Sequence, residues 1–292
     1  MTILNIANDG YYSNFVAICR AVAANPPMPR DKLQELCAAG AESDARTRQT
    51  LNRWIELRVL RDENGSIGFS DPALEGRPLS EVTAVLPGVV RRVVFAEENN
   101  DRFWESENSR CADLVRGLAW LLAQDVYTVD ASSHPKASEL ERRQIADSSR
   151  RIVQNDVRWN GLRTWAVYLG FAWNGQGLII DPTAAVRQDL ARIFEGQNEL
   201  PARDFLDRLA GILPVLDFGR YRKEVEDSLD PSHWERPPRP EMLSSALSRA
   251  LWRLQADNHL SLEARADAID SYALQKQAGQ EWSRFTHVRL LT

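Results

Sequence analysis

The chain has 292 residues, of which 43% are hydrophobic and 26% charged, with a formal net charge of −5. That balance belongs to a folded globular protein and excludes both a disordered chain and one that coats nucleic acid through bulk positive charge. No apolar run approaches the ~20 residues of a membrane span, and Met1-Thr2-Ile3-Leu4-Asn5 lacks the features of a signal peptide, so no membrane partner and a cytoplasmic location are expected.

Length suggests about two domains, with three small modules an equal alternative. Cys19, Cys37 and Cys111 form no CxxC pair and read as reduced thiols. From Asn14, the residues Phe15, Ile18, Cys19 and Val22 recur at helical spacing until Asn25-Pro26-Pro27 stops the run. A short helix after Pro29 is expected to bury Leu33, Leu36 and Cys37. Ala38 to Glu42 then turns at Gly40, and Ser43 or Asp44 caps a third helix from about Ala45 to Leu57. With Leu51, Trp54, Ile55 and the Arg58 stem inward, a rotation of ~100° per residue places Arg46, Gln49 and Arg53 on the outer face, flanked by Thr50 and Asn52. Val59 to Phe69 reads as two short strands around Asn64-Gly65, a pair suited to a tight hairpin.

Three helices and a hairpin over residues 1–70 have the order of a winged helix-turn-helix. Two uses of it stay open. Arg46 or Arg53 can bond guanine edges, Gln49 or Asn52 adenine edges, and Arg61 of the hairpin a phosphate of double-stranded DNA. Alternatively these side chains form a solvated face on a module that docks protein. Residues 1–70 hold eight basic and eight acidic side chains, a neutral balance that weighs against the DNA reading.

Asp71-Pro72 to Pro78-Leu79 reads as a linker. A helical middle region over 79–153 follows. It contains an apolar stripe from Val82 to Val93 interrupted at Pro87, a polar loop over Glu97–Ser109, and a strong helix from Cys111 to Gln124. After a break at Ser132-Ser133-His134-Pro135, a helix from Glu139 to Val153 carries Arg142, Arg143, Arg150 and Arg151. Those arginines are expected to pair with Glu139, Glu141 and Asp147 rather than bind phosphate.

Over 154–235 a buried helix from Trp159 to Phe171 is expected, then a turn at Gly175-Gln176-Gly177 with a short strand. A helix capped by Asp181 with Pro182 at its first position comes next, followed by helices over Pro201–Leu209 and Tyr221–Val225. This order also suits a degenerate winged helix. Arg236-Pro237-Pro238-Arg239-Pro240 is the clearest linker. A C-terminal module over 241–292 follows, with a helix through Leu243 to Leu254 and short strands at Leu260–Leu262, Tyr272–Leu274 and Phe285–Leu290, the last two a hairpin around Gly279. From Arg236 onward eight basic residues face six acidic ones, which makes this piece a second candidate for nucleic-acid contact.

The fold expected is thus mainly α with small β hairpins: an N-terminal winged helix-turn-helix followed by further helical or winged-helix-like modules. His134, His233, His259 and His287 show no metal-ligand spacing, and no catalytic residue, cofactor or metal site is expected. Asp217-Phe218-Gly219 lacks the other parts of a kinase signature and reads as a turn, and Gly175-x-Gly177 precedes a strand, the reverse of a dinucleotide loop.

Several stretches together resemble a known family. They are Arg158-Trp159-Asn160-Gly161, Leu169-Gly170-Phe171-Ala172, Asp181-Pro182-Thr183, Leu213-Pro214-Val215-Leu216-Asp217 with Gly219-Arg220-Tyr221-Arg222, Leu247-Ser248-Arg249-Ala250-Leu251, and Phe285-Thr286-His287-Val288. With the N-terminal module they are similar to the DpdG proteins of bacterial clusters that place 7-deazaguanine derivatives in DNA and attack unmodified foreign DNA. The resemblance implies an accessory component of a restriction or phage-defence system that acts with other proteins of its cluster. It carries over no functional residue. The resulting expectation is a non-enzymatic, DNA-directed adaptor without a small-molecule substrate. The alternatives are a scaffold that docks onto a larger ATPase or helicase subunit without touching DNA, and a motif-poor nuclease.

Overall fold

The computed structural model describes residues 2–4, 12–37, 40–105, 110–235, 239–266 and 268–291, and of 41–43 the backbone alone. Part of the loop expected over 97–109, most of the linker at 236–240 and the cap expected of Ser43 lie outside the described residues and side chains. The described residues are mainly helical, with small antiparallel sheets. They form two compact units, Met1–Leu114 with Val157–Trp165, and Val115–Asp156 with Ala166–Thr292.

In the first unit the order is α1 (Tyr12–Ala24), β1 (Met28–Pro29), α2 (Arg30–Cys37), α3 (Ala41–Glu56), β2 (Leu60–Glu63), β3 (Ser66–Phe69) and α4 (Leu79–Phe95). Helix α1 turns Phe15, Ile18, Cys19 and Val22 inward, the set its spacing predicts. Phe15 packs on Trp54 of α3 at 4.1 Å between ring centroids, and Trp54 on Trp165 at 5.2 Å. Each such ring, fully buried, contributes about 2–3 kcal/mol. The β2–β3 turn holds Asn64 at φ 55° and Gly65 at φ 84°, the paired positive angles a two-residue hairpin requires. Strand β1 adds to the other edge of β3, giving the antiparallel order β1-β3-β2.

Three local expectations are corrected here. Helix α3 starts at Ala41, so Asp44 lies in its first turn and pairs with Arg48 at 2.6 Å instead of capping. Leu36 is 59% exposed, because eight-residue α2 turns only Leu33 fully into the core. Helix α4 runs unbroken through Pro87, where burial of Val82, Leu86, Val89, Val90 and Val94 offsets the lost backbone bond.

The chain passes between units within α5 (Ala112–Ala123), continues through α6 (His134–Gln144), and passes again within α7 (Asp156–Tyr168). The helix expected to Val153 ends nine residues early. Glu141 is buried, and its two carboxylate oxygens accept the backbone N–H groups of Ile152 at 2.6 Å and Val153 at 2.8 Å, which folds the chain back. The helix expected to reach Phe171 stops at Tyr168. Gly170, at φ +83° and with no room for a β-carbon, which would stand 2.8 Å from the backbone nitrogen of Ala185, precedes a hairpin of β4 (Ala172–Gly175) and β5 (Gly177–Ile180).

The rest of the second unit is α8 (Thr183–Phe194), β6 (Glu199–Pro201), α9 (Ala202–Ile212), α10 (Arg220–Glu226), α11 (Ser245–Ala256), β7 (Leu260–Glu263), β8 (Tyr272–Gln275), β9 (Glu281–Phe285) and β10 (His287–Leu290). Asp181 does accept from the N–H of Thr183, but Pro182 is the capping residue rather than the first helical one. Strands β8 and β9 pair around Gly279, whereas β10 leaves that hairpin to sit between β6 and β7. That sheet takes one strand from the piece expected at 154–235 and two from the module expected at 241–292, so ladder bonds join the two.

The second unit repeats the path of the first. Helix, short strand, helix, helix and two strands recur as α8, β6, α9, α11, β7 and β10, with sheet order β6-β10-β7 matching β1-β3-β2. The match extends to single bonds. Pro29 faces Ser66 and Ser66 faces Glu63, just as Pro201 faces His287 and His287 faces Glu263. Arg30 N–H donates to the carbonyl of Gly65 at 2.9 Å, and Ala202 N–H to that of Thr286 at 2.7 Å. Both third helices end through a residue in the left-handed region, Arg58 at φ 65° and Asn258 at φ 59°. Two insertions distinguish the second copy: residues 213–244 with α10 before α11, and the β8–β9 hairpin between β7 and β10.

Candidate interface on the third helix

The face of α3 turned to solvent consists of Ala45, Arg48, Gln49, Asn52 and Glu56, a spacing of three or four residues that aligns them in one stripe. Inward lie Thr47, Leu51 and Trp54, all fully buried, and with them Thr50, which was expected beside the outer face but lies one turn from the buried Trp54 and Thr47. Of the expected site residues, Gln49 and Asn52 are in the stripe and Arg46 is half-buried beside it.

Arg53 is not on this face. It is 5% exposed and its guanidinium pairs with Glu56 at 2.8 Å. The expected rotation fails because a long side chain next to the buried Trp54 lays its stem along the core and bends its head back to a carboxylate one turn on. Arg58 is also exposed rather than inward, since the left-handed residue there has already left the helix. Arg61 in the hairpin is committed three ways, to Glu63 at 2.8 Å, Glu75 at 2.5 Å and the carbonyl of Phe69 at 2.5 Å.

Two residues belong to the site that sequence reasoning missed. Arg48 is exposed in the stripe and pairs with Asp44, a spacing of four that was legible in the sequence. Arg30 reaches from α2 to Asp62 at 2.5 Å and also donates to the amide oxygen of Asn52, pairings that no local spacing announces. The surface is therefore a polar stripe whose cations Arg30, Arg48 and Arg61 each hold a carboxylate.

In the second unit the corresponding helix, α11, buries Leu247, Ala250, Leu251 and Leu254, the same four positions at a constant offset. The β8–β9 hairpin lies over part of its stripe, leaving Trp252 39% exposed. Ser248 Oγ accepts the backbone N–H of Gln275 at 2.7 Å, and Trp252 stacks on Trp282 at 4.6 Å between centroids.

No group of three or more His, Cys, Asp or Glu side chains among the described residues could hold a metal. Burial pushes the thiols of Cys19 and Cys111 well up from their ordinary value, so neither is a ready thiolate. No helix among the described residues is long and apolar enough to cross a membrane.

The fold and this interface define a mainly helical protein with two related helix-and-hairpin units. A family model described as DpdG-like matches residues 1–268, and the chain belongs to that family. Membership associates it with Dpd modification systems and the other proteins of such a cluster. No curated protein and no solved structure matches the chain.

Proposed function

We propose that this chain is a non-catalytic accessory subunit of a Dpd system, built on two winged helices, whose α3 stripe docks a protein partner. The observation that carries this reading is the fate of the same face in the second unit, where a strand hairpin lies over α11 and bonds to Ser248. A face that one copy of the architecture uses to seat polypeptide is suited to the same use in the other. The neutral charge of the stripe agrees, because a phosphate must displace a carboxylate from each of Arg30, Arg48 and Arg61 before it gains their charge.

The test is copurification of the chain with the other proteins of its cluster. Replacing Arg48 and Gln49 together with glutamate should weaken the complex about tenfold or more. Unchanged recovery of the partners would sink the docking reading.

A second reading, direct contact with double-stranded DNA, is favoured by Arg48, Gln49 and Asn52 lying side by side on an exposed helix. It predicts binding to DNA by the chain alone that falls steeply as salt rises, and that the same double substitution removes. On the docking reading, the isolated chain binds DNA weakly and the substitution does not change it.

A further inference from the structure

The outer face of α11 differs from that of α3 in charge and in aromatic content. With Leu247, Ala250, Leu251 and Leu254 set against Thr47, Thr50, Leu51 and Trp54, Arg249 stands where α3 has Gln49, and Trp252 where it has Asn52. Helix α3 carries acids among its arginines, whereas α11 carries Arg249 and Arg253 and no acid. The hairpin leaves part of this face open. Ser245 and Ser248 are buried, but Trp252 and Trp282 of β9, stacked with their planes 29° apart, stay 39% and 38% exposed. The hairpin is anchored by other groups: Ala273 donates to the carbonyl of Glu241 at 2.7 Å and accepts from Leu243 at 3.0 Å, and Gln275 donates to Ser248.

Two cations flank the indoles. Arg249 lies one turn before Trp252, and the exposed Lys276 follows Gln275, whose N–H bonds Ser248 one turn from the same indole. Neither holds an ion pair among the described residues, whereas Arg253, Arg265, Arg284 and Arg289 of the same module each hold a carboxylate. Glu281, beside Trp282, is taken up by Arg284 at 3.3 Å. The open part of the face thus combines two aromatic rings with uncompensated positive charge, the reverse of the neutral stripe on α3.

We propose that this surface binds a short stretch of single-stranded nucleic acid, with bases stacking on Trp252 and Trp282 and phosphates meeting Arg249 and Lys276. Stacking on an indole needs a free base face, which a duplex keeps for its own neighbouring pairs. A proline-rich peptide would cover the indoles but bring no charge to the two cations. The site lies within one unit and does not depend on how α3 is used.

Fluorescence anisotropy of the full chain with a labelled mixed-sequence strand of about twelve nucleotides, as DNA and as RNA, tests it. The same DNA as a duplex, a strand of abasic units and a decaproline peptide serve as comparisons. At least one single strand should bind, with the duplex and the abasic strand about tenfold weaker or worse. Two phosphate contacts should give a slope of about −1.4 in log affinity against log salt. Trp282→Ala should weaken binding about tenfold or more, and Trp282→Phe, which keeps a ring, should retain most of it. Arg249→Gln with Lys276→Gln should bring the salt slope close to zero at an unchanged melting temperature, and this exposed pair decides the matter if Trp282→Ala loses its circular dichroism. The proposal is overturned if neither single strand binds, if the abasic strand or the duplex binds as tightly, if decaproline binds in their place, or if the folded variants bind like the original chain.

Discussion

Glu141 illustrates how much a single side chain decides in this fold. In the sequence it is one of several acids available to pair with nearby arginines, and Glu139 and Asp147 do pair with Arg142, Arg143 and Arg150. Glu141 instead turns inward and closes the end of α6 by accepting two backbone N–H groups. Glu141→Ala leaves both donors buried and unpaired, so chemical denaturation should record a loss of about 3 kcal/mol. A loss indistinguishable from that of an exposed residue would refute the assignment. The carboxyl of Glu199 is held below its ordinary range by Arg265 first and Arg289 second. A depressed carboxyl stabilises the fold above its unfolded pKa and loses that contribution as pH falls through the folded value. The advantage of the original chain over Glu199→Gln should thus be present at neutral pH and shrink on acidification. An advantage that grows in acid would contradict it.

Among the elements, α3 was the most legible and still misread in part. Its apolar positions Leu51 and Trp54 follow helical spacing, so half of its inner face is readable, as are Gln49 and Asn52 on the outer one, whereas Arg58 is exposed and Thr50 buried against expectation. Arg53 was not, because spacing gives the direction of the β-carbon and not the path of a long flexible side chain. The hairpin at Asn64-Gly65 was readable because only a few residue pairs tolerate two positive φ angles in succession. Of the β4–β5 hairpin, the turn at Gly175-Gln176-Gly177 and the second strand are legible and β4 is not, because Trp173 and Asn174 follow an apolar run whose helical pattern continues past the real end of α7 at Tyr168. Gly219 marks the turn before α10, where close approach to Pro214 rather than backbone angle demands glycine. Gly219→Ala should cost about 2 to 4 kcal/mol in denaturant, and a neutral substitution would mean that the turn can open.

At the scale of the molecule, a repeated path unites residues that lie far apart in the chain. Among the described residues strand β6 pairs only with β10, and α8 and α9 are contiguous in sequence with neither α11 nor β7. A chain truncated after Glu235 should therefore lose more helical circular dichroism than α11 alone accounts for, since it deletes β10 together with the core residues Leu247, Leu251 and Leu254. Loss equal to α11 would show that the 154–235 piece is independent.

From the sequence alone came the helical class, the inner face of α1, the core positions Leu51 and Trp54 of α3, the first hairpin and the family to which the chain belongs, because spacing, turn chemistry and local motifs are properties of neighbouring residues. Only the tertiary structure settled that Arg53 is inward, that Arg61 and Arg30 are held by acids, and that the second sheet draws its strands from both sides of the proline-rich linker. The pairing of Arg30 with Asp62 and of β6 with β10 depends on partners tens of residues away. Arg53 and Arg61, whose acids Glu56 and Glu63 are near in sequence, take their places from the packing around them, and no period along the chain records either.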